Sequence, residues 1–556
     1  MTLNLSNMDD QNFAAAMKNS RHLLEYVSIY VNRGLPIPTF VKSLRFQDKN
    51  IKLPNLIYQI SDQIFIHINS NSKLADGYKE YVIIEPLEPD GMLFAAANKM
   101  FALNAGLITP PTEITERYNV VEQYLTNIVS ISKTPVAYEK LDGSKLKNLP
   151  VYEKDIVNFK YHFLRKRAGL DVLDPFLTDP NLEDISIVGA GNMYVVHKMF
   201  GALKATVWLS NEEIDDLILV MSEQFGKTVS HAKPIVDAQL PEGSRINIVF
   251  GKDVSRKGTN ATIRRFANTP LAITQIIDSK TMTSEEAAYL WMMLSESMSM
   301  FINGETASGK TTTLMGITAF IPSNLKIVTL EDTPEITLSH PNWISEVTRG
   351  IESESSSVTM FDLLKAALRQ RPNYLILGEI RGSEGNTAFQ AMQTGHPVIS
   401  TFHASGMTSL LQRITNPPIA VPKTHLENLN IALFQGAVLG PDGRRMRRVL
   451  SINEIMGFNS EEDKVMFIPV FTWDPSTDTV KFKGRGTSYL FRHTLLERRG
   501  MSKKDEVLLY EELDFRAKIL DKMVEKKIFN FYDVYDSISR CKDIGLHAFM
   551  EEIEKL

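Results

Sequence analysis

The segment Gly304-Glu305-Thr306-Ala307-Ser308-Gly309-Lys310-Thr311 fits the pattern G-x-x-x-x-G-K-[ST] at every fixed position. A loop of this kind binds phosphate. Its glycines let the backbone curl so that successive N–H groups face the phosphates, its lysine reaches the β- and γ-phosphates, and its final hydroxyl ligates Mg²⁺. The nucleotide-binding set is therefore expected to run from Gly304 through Thr312, with Lys310 carrying the charge and Thr311 the metal. An apolar run at 298–302 precedes the loop and a helix-forming run at 310–319 follows, the strand-to-helix setting this chemistry needs. By contrast, Gly226-Lys227-Thr228 has Met221 where the upstream glycine would stand, and it reads as a helix end.

A phosphate loop needs an acidic partner at the end of a neighbouring strand. Tyr374-Leu-Ile-Leu-Gly-Glu379 is an apolar strand ending in a carboxylate that can hold Mg²⁺ through water. Gly378 stands where many nucleotide hydrolases place an aspartate. A second acidic group, Glu331-Asp332-Thr-Pro-Glu335, follows the apolar run 326–330. A carboxylate there can orient and deprotonate the attacking water, and an acidic cap on a following helix is an equal reading of this segment alone. His396 and His403 flank the apolar run 398–401. A single histidine is more often structural, whereas two bracketing a strand beside such elements suggest a γ-phosphate sensor.

Strands and helices alternate around these groups. Strands are expected at 298–302, 326–330, 374–377 and 398–401, and helices at 310–319, 360–369 and 386–394, which implies a parallel sheet covered by helices. Thr283-Ser-Glu-Glu286 and Ser210-Asn-Glu-Glu213 are capping boxes that open helices. The fold class expected is α/β: a C-terminal P-loop domain with a mostly parallel sheet, preceded by a smaller α+β domain and an N-terminal accessory region. The boundaries expected are 1–150 for the accessory region, 151–266 for the α+β domain, 267–282 for a linker, and 283–556 for the P-loop domain with a charged helical tail.

In order along the chain, the segments 304–311, 329–335, 375–381 and 394–404 resemble the Walker A loop, Asp box, Walker B segment and His box of the type II/type IV secretion ATPase superfamily. LDPFLTDPNLEDISIVG, PEGSRIN and TIRRF resemble strands of that family's N-terminal domain. The resemblance implies a RecA-like ATPase that uses ATP and Mg²⁺ and works as a ring, usually a hexamer, with nucleotide held where two domains meet. It further implies Glu335 as general base, Glu379 as the Mg²⁺-associated carboxylate and His403 as γ-phosphate sensor. Arg245 and Arg264 match positions of phosphate-neutralising arginines, and Arg265 is adjacent and equally eligible. Without the resemblance all three would read as solvated surface charges.

GETASGKTTTL, EDTPEI, GEIRGSEGNTAFQAM and NPPIAVPKTHLENLNIALFQ look like the archaeal branch of the family. An archaellum motor is the first choice, and an archaeal type IV pilus or type II secretion assembly ATPase the alternative. Partners implied are further copies of the chain, a polytopic membrane platform protein and its associated motor components, with peripheral attachment at the inner face of the cell membrane.

With 556 residues, 43% hydrophobic and 23% charged, the chain has the composition of a soluble protein of two or three domains. A net charge of −5 and no basic stripe disfavour a nucleic-acid motor, although recombinases and hexameric helicases share the core architecture. A pseudo-enzyme is disfavoured because Lys310, Thr311, Glu335 and Glu379 are all retained. The single cysteine, Cys541, excludes an intrachain disulfide and the tetracysteine zinc element of many bacterial assembly ATPases. The start lacks the pattern of a signal peptide, and the longest apolar stretch is broken by Ser295, Glu296 and Ser297, so a cytoplasmic location is expected. The basic run Gly443-Arg-Arg-Met-Arg-Arg448 is read as charge on an exposed hairpin, in preference to a contact with an acidic membrane or a ring neighbour. The helix around Phe13, His22 and Tyr26 is read as packing.

Overall fold

The computed structural model describes residues 11–44, 51, 53–70, 77–104, 114–265, 269–349, 357–440 and 445–555. Its contacts divide the chain into two compact units, Met1–Ala267 and Asn268–Leu556.

The first unit is built on a ten-stranded sheet. From one edge its strands run Thr39–Val41, Asn55–Gln59, Phe65–Asn69, Lys79–Ile84, Gly201–Leu209, Gly191–His197, Leu182–Ile187, Asn260–Arg264, Arg245–Val249 and Ile235–Gln239. Lys79–Tyr81 pair in parallel with Leu203–Ala205, so the strands before residue 150 and those after it share one sheet. A small parallel pair, Val129–Ser132 with Leu149–Tyr152, runs across Pro150. The helix Asn211–Gln224 begins at the expected Ser210–Glu213 capping box. Its Ile214, Ile218 and Met221 recur at helical spacing and bury against Ile185, Ile246, Ile248 and Ile263 of the sheet. Gln11–Asn19 and Arg21–Asn32 are packing helices: Phe13, Met17, Leu23 and Val27 are buried with Phe40, Ile57 and Phe65.

The second unit carries a nine-stranded sheet in the order Trp343–Val347, Ile327–Glu331, Tyr374–Glu379, Val398–Phe402, Met300–Asn303, Ile431–Leu439, Arg445–Asn459, Lys464–Asp474 and Thr479–Phe482. The first six are parallel and the last three extend the sheet as antiparallel hairpins. Met300–Asn303, Ile327–Glu331 and Val398–Phe402 are buried at every position, as strands covered on both faces must be. One face packs Leu314 and Ile317 of the phosphate-loop helix with Ser284–Ser295 and the C-terminal helices from Glu506 onward. The other packs Leu364, Phe389 and Leu410 of three further helices against Phe301, Leu375 and Phe402. The architecture is α/β with a parallel-rich sheet, as expected.

The stretch expected to link the domains differs. Residues 266–268, including Ala267, lie outside the described residues, but Ile273–Asp278 is a helix. Its Ile273, Ile276 and Ile277 are buried in the second unit's core, and Thr274 Oγ1 donates to the Ile528 carbonyl at 2.7 Å. An apolar triplet at this spacing has to be buried, and doing so docks most of the segment onto the second unit.

Candidate nucleotide site

The strand Met300–Asn303 lies between Val398–Phe402 and Ile431–Leu439 and delivers the chain into the loop. Glu305, Thr306 and Ala307 are exposed at the loop's apex, and Ser308 is buried beneath them. Gly309, at φ 93°, caps the helix Lys310–Thr318, whose first turn carries Thr311 and Thr312 half-exposed. Only glycine adopts that φ without strain. Lys310 is 8% exposed, and its Nζ donates to the carbonyls of Gly304 and Glu305, each at 3.0 Å. Burial pulls its pKa below the ordinary value, with Glu379 acting in opposition.

Glu379 and His403 stand at the carboxyl ends of two adjacent parallel strands. His403 Nε2 is 3.1 Å from Glu379 Oε1, and Arg381 Nη2 is 2.6 Å from Glu379 Oε2. Lys310 Nζ lies 3.5 Å from His403 Nδ1. Burial lowers the histidine pKa, Lys310 lowers it further and Glu379 opposes, so the ring is neutral near pH 7. Its partners then assign the proton to Nε2, which donates to the carboxylate while Nδ1 accepts from the lysine. Arg413 Nη1 donates to the His403 carbonyl and lies over the Phe402 ring, fixing the backbone here. His396 is not part of this group. It precedes the same strand at its opposite end, beside Thr394 Oγ1 at 3.2 Å.

Glu331 and Glu335 separate clearly. Glu331 ends its strand only 2% exposed, and its Oε1 accepts from the backbone N–H groups of Glu335 and Ile336 at 2.9 and 3.0 Å. Burial pushes its pKa up to about 7. No helix follows it; residues 332–342 run irregularly to Trp343–Val347, which removes the helix-cap reading of this acidic segment. Glu335 is half-buried, and with Asp332 it acts on Arg381, whose pKa is raised first of all by its hydrogen bond to Glu379. Gly378 has a packing reason: a Cβ there would come within 3.2 Å of Glu331 Cγ, so an aspartate would displace that side chain.

In the first unit, Arg245 and Arg264 are register partners on adjacent antiparallel strands, which places both side chains on one face of the sheet. They are 42% and 56% exposed at the side chain, with Asp237 at 3.7 Å and Asp184 at 3.9 Å. Arg265 differs. Its Nη1 donates to the carbonyl of Asp179, a fully buried residue whose carboxylate takes the hydroxyls of Tyr58 and Tyr81. Arg265 is thus a brace of the core, and of the two adjacent arginines Arg264 is the one that faces solvent.

Gln435, on the last of the parallel strands, was not singled out from the sequence, and Arg447 and Arg448 were read only as part of the basic run. Gln435 and Arg447 contact the phosphate loop: Gln435 Nε2 donates to the Ser308 carbonyl at 2.8 Å, and Arg447 Nε to the Ala307 carbonyl at 3.3 Å. Arg448 is buried and pairs through Nε and Nη2 with Asp478, at 2.8 and 2.9 Å. The basic run is therefore not simply solvated charge on a hairpin, although its Gly443 and Arg444 lie outside the described residues.

The family described as type II/IV secretion system protein matches residues 207–433, a span that contains the phosphate loop, both acidic segments and His403. A probable conjugal transfer protein TrbB of Sinorhizobium fredii is 28% identical over 51% of this chain and 86% of its own length. The type IV secretion system protein VirB11 of Bartonella quintana is 29% identical over 37% of this chain and 68% of its own. The chain belongs to the type II/IV secretion ATPase superfamily. Over nearly its full length, the chain is similar to an uncharacterized protein, MJ0900, of Methanocaldococcus jannaschii, with 43% identity over 97% of this chain and 98% of that one. Among its described residues, no helix is long and apolar enough to cross a membrane.

Proposed function

We propose that this protein hydrolyses ATP as a ring motor that powers assembly or rotation of an archaeal type IV pilus-like filament, with the archaellum as first choice. The observation that carries the hydrolytic part is the continuous set of contacts Lys310–His403–Glu379–Arg381 beside a complete phosphate loop. In this reading Lys310 neutralises the β- and γ-phosphates, Glu335 takes the proton of the attacking water, and Arg245 and Arg264 neutralise charge developing on the transferred phosphoryl. His403 links the phosphate-binding lysine to the carboxylate, so capture of a γ-phosphate by Lys310 is felt at Glu379. The Thr311 hydroxyl and the Glu379 carboxylate are hard oxygen donors that fit Mg²⁺, which when bound would supply charge neutralisation at the phosphates.

The filament part has different support. A full-length relative from an archaeon favours the archaeal branch, and the names of TrbB and VirB11 favour work at a secretion or transfer machine. The partners are further copies of the chain, forming a hexamer, and a polytopic membrane platform protein at the inner face of the cell membrane. An archaeal pilus or type II secretion assembly ATPase is the alternative. A nucleic-acid motor is the more distant one, disfavoured by the net charge of −5.

The test has two arms. Phosphate release by the full chain is measured with Mg²⁺ or EDTA, with and without DNA, for the wild type and Lys310→Ala; no hydrolysis by the wild type, or stimulation by DNA, overturns the reading. Deletion of the gene followed by electron microscopy of the cells decides the filament: loss of archaella supports the first choice, and loss of pili alone the second.

A further inference from the structure

Gln435 touches the phosphate loop at Ser308 and fills the space that a side chain on either of the loop's glycines would need. It lies on Ile431–Leu439, the parallel neighbour of the loop's own strand, one residue beyond the Asn303–Phe434 pair. On its other side the antiparallel pairing slips between Phe434, opposite Ser451, and Gln435, opposite Val449. A bulge of this kind re-aims the side chain next to it. That side chain is buried, 2% exposed, and both ends of its amide are engaged: Nε2 donates to the Ser308 carbonyl at 2.8 Å, and Thr313 Oγ1 donates to Oε1 at 2.7 Å. A carbonyl partner at one end and a hydroxyl at the other fix which end is which.

The consequence follows from peptide planarity. The Ser308 carbonyl and the Gly309 N–H belong to one planar unit and point in opposite directions, so holding the first aims the second. The same residue explains the loop's glycines. A Cβ on Gly304 would lie 2.2 Å from the Gln435 carbonyl oxygen, and one on Gly309 would lie 2.9 Å from Gln435 Nε2. Arg447, from the facing strand, adds its contact to the Ala307 carbonyl on the same side.

We infer that Gln435 is a positioning residue for phosphate binding: from a strand outside the loop it holds the Ser308–Gly309 peptide so that its N–H faces the nucleotide phosphates. Thr313 acts through it by anchoring the amide. This rests on the reading of the loop as a nucleotide site, and the experiment separates the two. ADP affinity and the urea unfolding midpoint without nucleotide are measured on the full chain for the wild type, Gln435→Leu, Thr313→Val, the double variant and Lys310→Ala.

Gln435→Leu is expected to weaken ADP binding about tenfold, because the loop's buried carbonyl loses its donor. Thr313→Val is expected to weaken it by roughly threefold with little change in midpoint, and the double variant to bind no worse than Gln435→Leu alone, as residues acting in series do. ADP affinity within twofold of wild type in a folded Gln435→Leu protein, or full addition of the two losses, overturns the inference. Should Gln435→Leu not fold, Thr313→Val decides alone, and unchanged ADP affinity there is the overturning result. If Lys310→Ala also binds ADP like the wild type, the reading of the loop itself fails.

Discussion

His403 presents Nε2 to Glu379 Oε1 at 3.1 Å, and the neutral ring has just one arrangement of its proton that also satisfies Lys310 on its other side. A group held in this way transmits a change at the lysine to the carboxylate. His403→Ala is therefore expected to lower kcat roughly tenfold or more while leaving the KM for ATP within a few-fold, since the lost interaction matters most once the γ-phosphate is engaged. Steady-state kinetics at saturating Mg²⁺ check this. A rise in KM at unchanged kcat would make His403 a binding residue and remove the sensor role.

The adjacent arginines should part company. Arg264→Ala and Arg245→Ala remove exposed cations from one sheet face, so turnover should fall by about a hundredfold, in the range for lost transition-state charge stabilisation, with modest loss of nucleotide affinity. Arg265→Ala instead strips a donor from the buried Asp179 carbonyl and should cost about 1–3 kcal/mol of stability, read as a lower denaturation midpoint. The comparison fails if Arg265→Ala is as stable as wild type but inactive.

Much of the second unit was legible because its strands are continuous apolar runs bounded by glycine and charge, and its phosphate loop is spelled out residue by residue. Other parts were not. Ile235–Gln239 buries only Val236 and Ala238, too short an alternation to stand out, and Trp343–Val347 has no buried position to mark it. The segment from Ala272 to Ile277 looked like a linker because Pro270 and a short apolar run give no sign of which core receives them. In the site, sequence singled out Lys310, Glu379 and His403, whose contacts lie at strand ends in the parallel order. It gave Arg264 and Arg265 equal standing, and only strand alternation, with Arg265 turned onto Asp179, separates them. Gln435 carried no signal at all: a glutamine in the middle of a strand becomes informative only when a bulge points it at the loop.

Glu335 and Glu379 are expected to fail differently. Glu335→Gln keeps the shape of the loop, because it is the backbone N–H of residue 335, and not its carboxylate, that Glu331 holds. The variant should bind ATP with Mg²⁺ normally and hydrolyse it at least about a hundredfold more slowly, as expected for loss of a general base. Glu379→Gln should also raise the Mg²⁺ concentration needed for half-maximal rate. Isothermal titration and phosphate release, run across a Mg²⁺ series, read both. Normal turnover by Glu335→Gln would shift the base to Glu379.

Stability should fall with rising pH through the neutral range, and Glu331 should be a main cause. Burial raises its pKa from 4.5 to about 7, with the backbone N–H groups of Glu335 and Ile336 pulling the other way and the Glu335 charge adding to the rise. Between those two values the folded chain keeps a proton that the unfolded chain has released. The folded state therefore binds more protons, and the free energy of unfolding declines as pH rises. The contribution is whole below about 4.5 and lost as pH passes through about 7; over that interval it amounts to roughly 3 kcal/mol at most. Glu286, buried in its capping box and raised to about 7 for the same first reason, acts in the same direction. Glu331→Gln removes the ionisation while leaving an acceptor for both backbone N–H groups. Its stability relative to wild type should thus improve from pH 6 to pH 8, measured as denaturant midpoints at fixed ionic strength. A gap between variant and wild type that stays constant over this range would mean that Glu331 is already ionised at pH 6, and its burial would then need a partner for Oε2, which has none among the described residues.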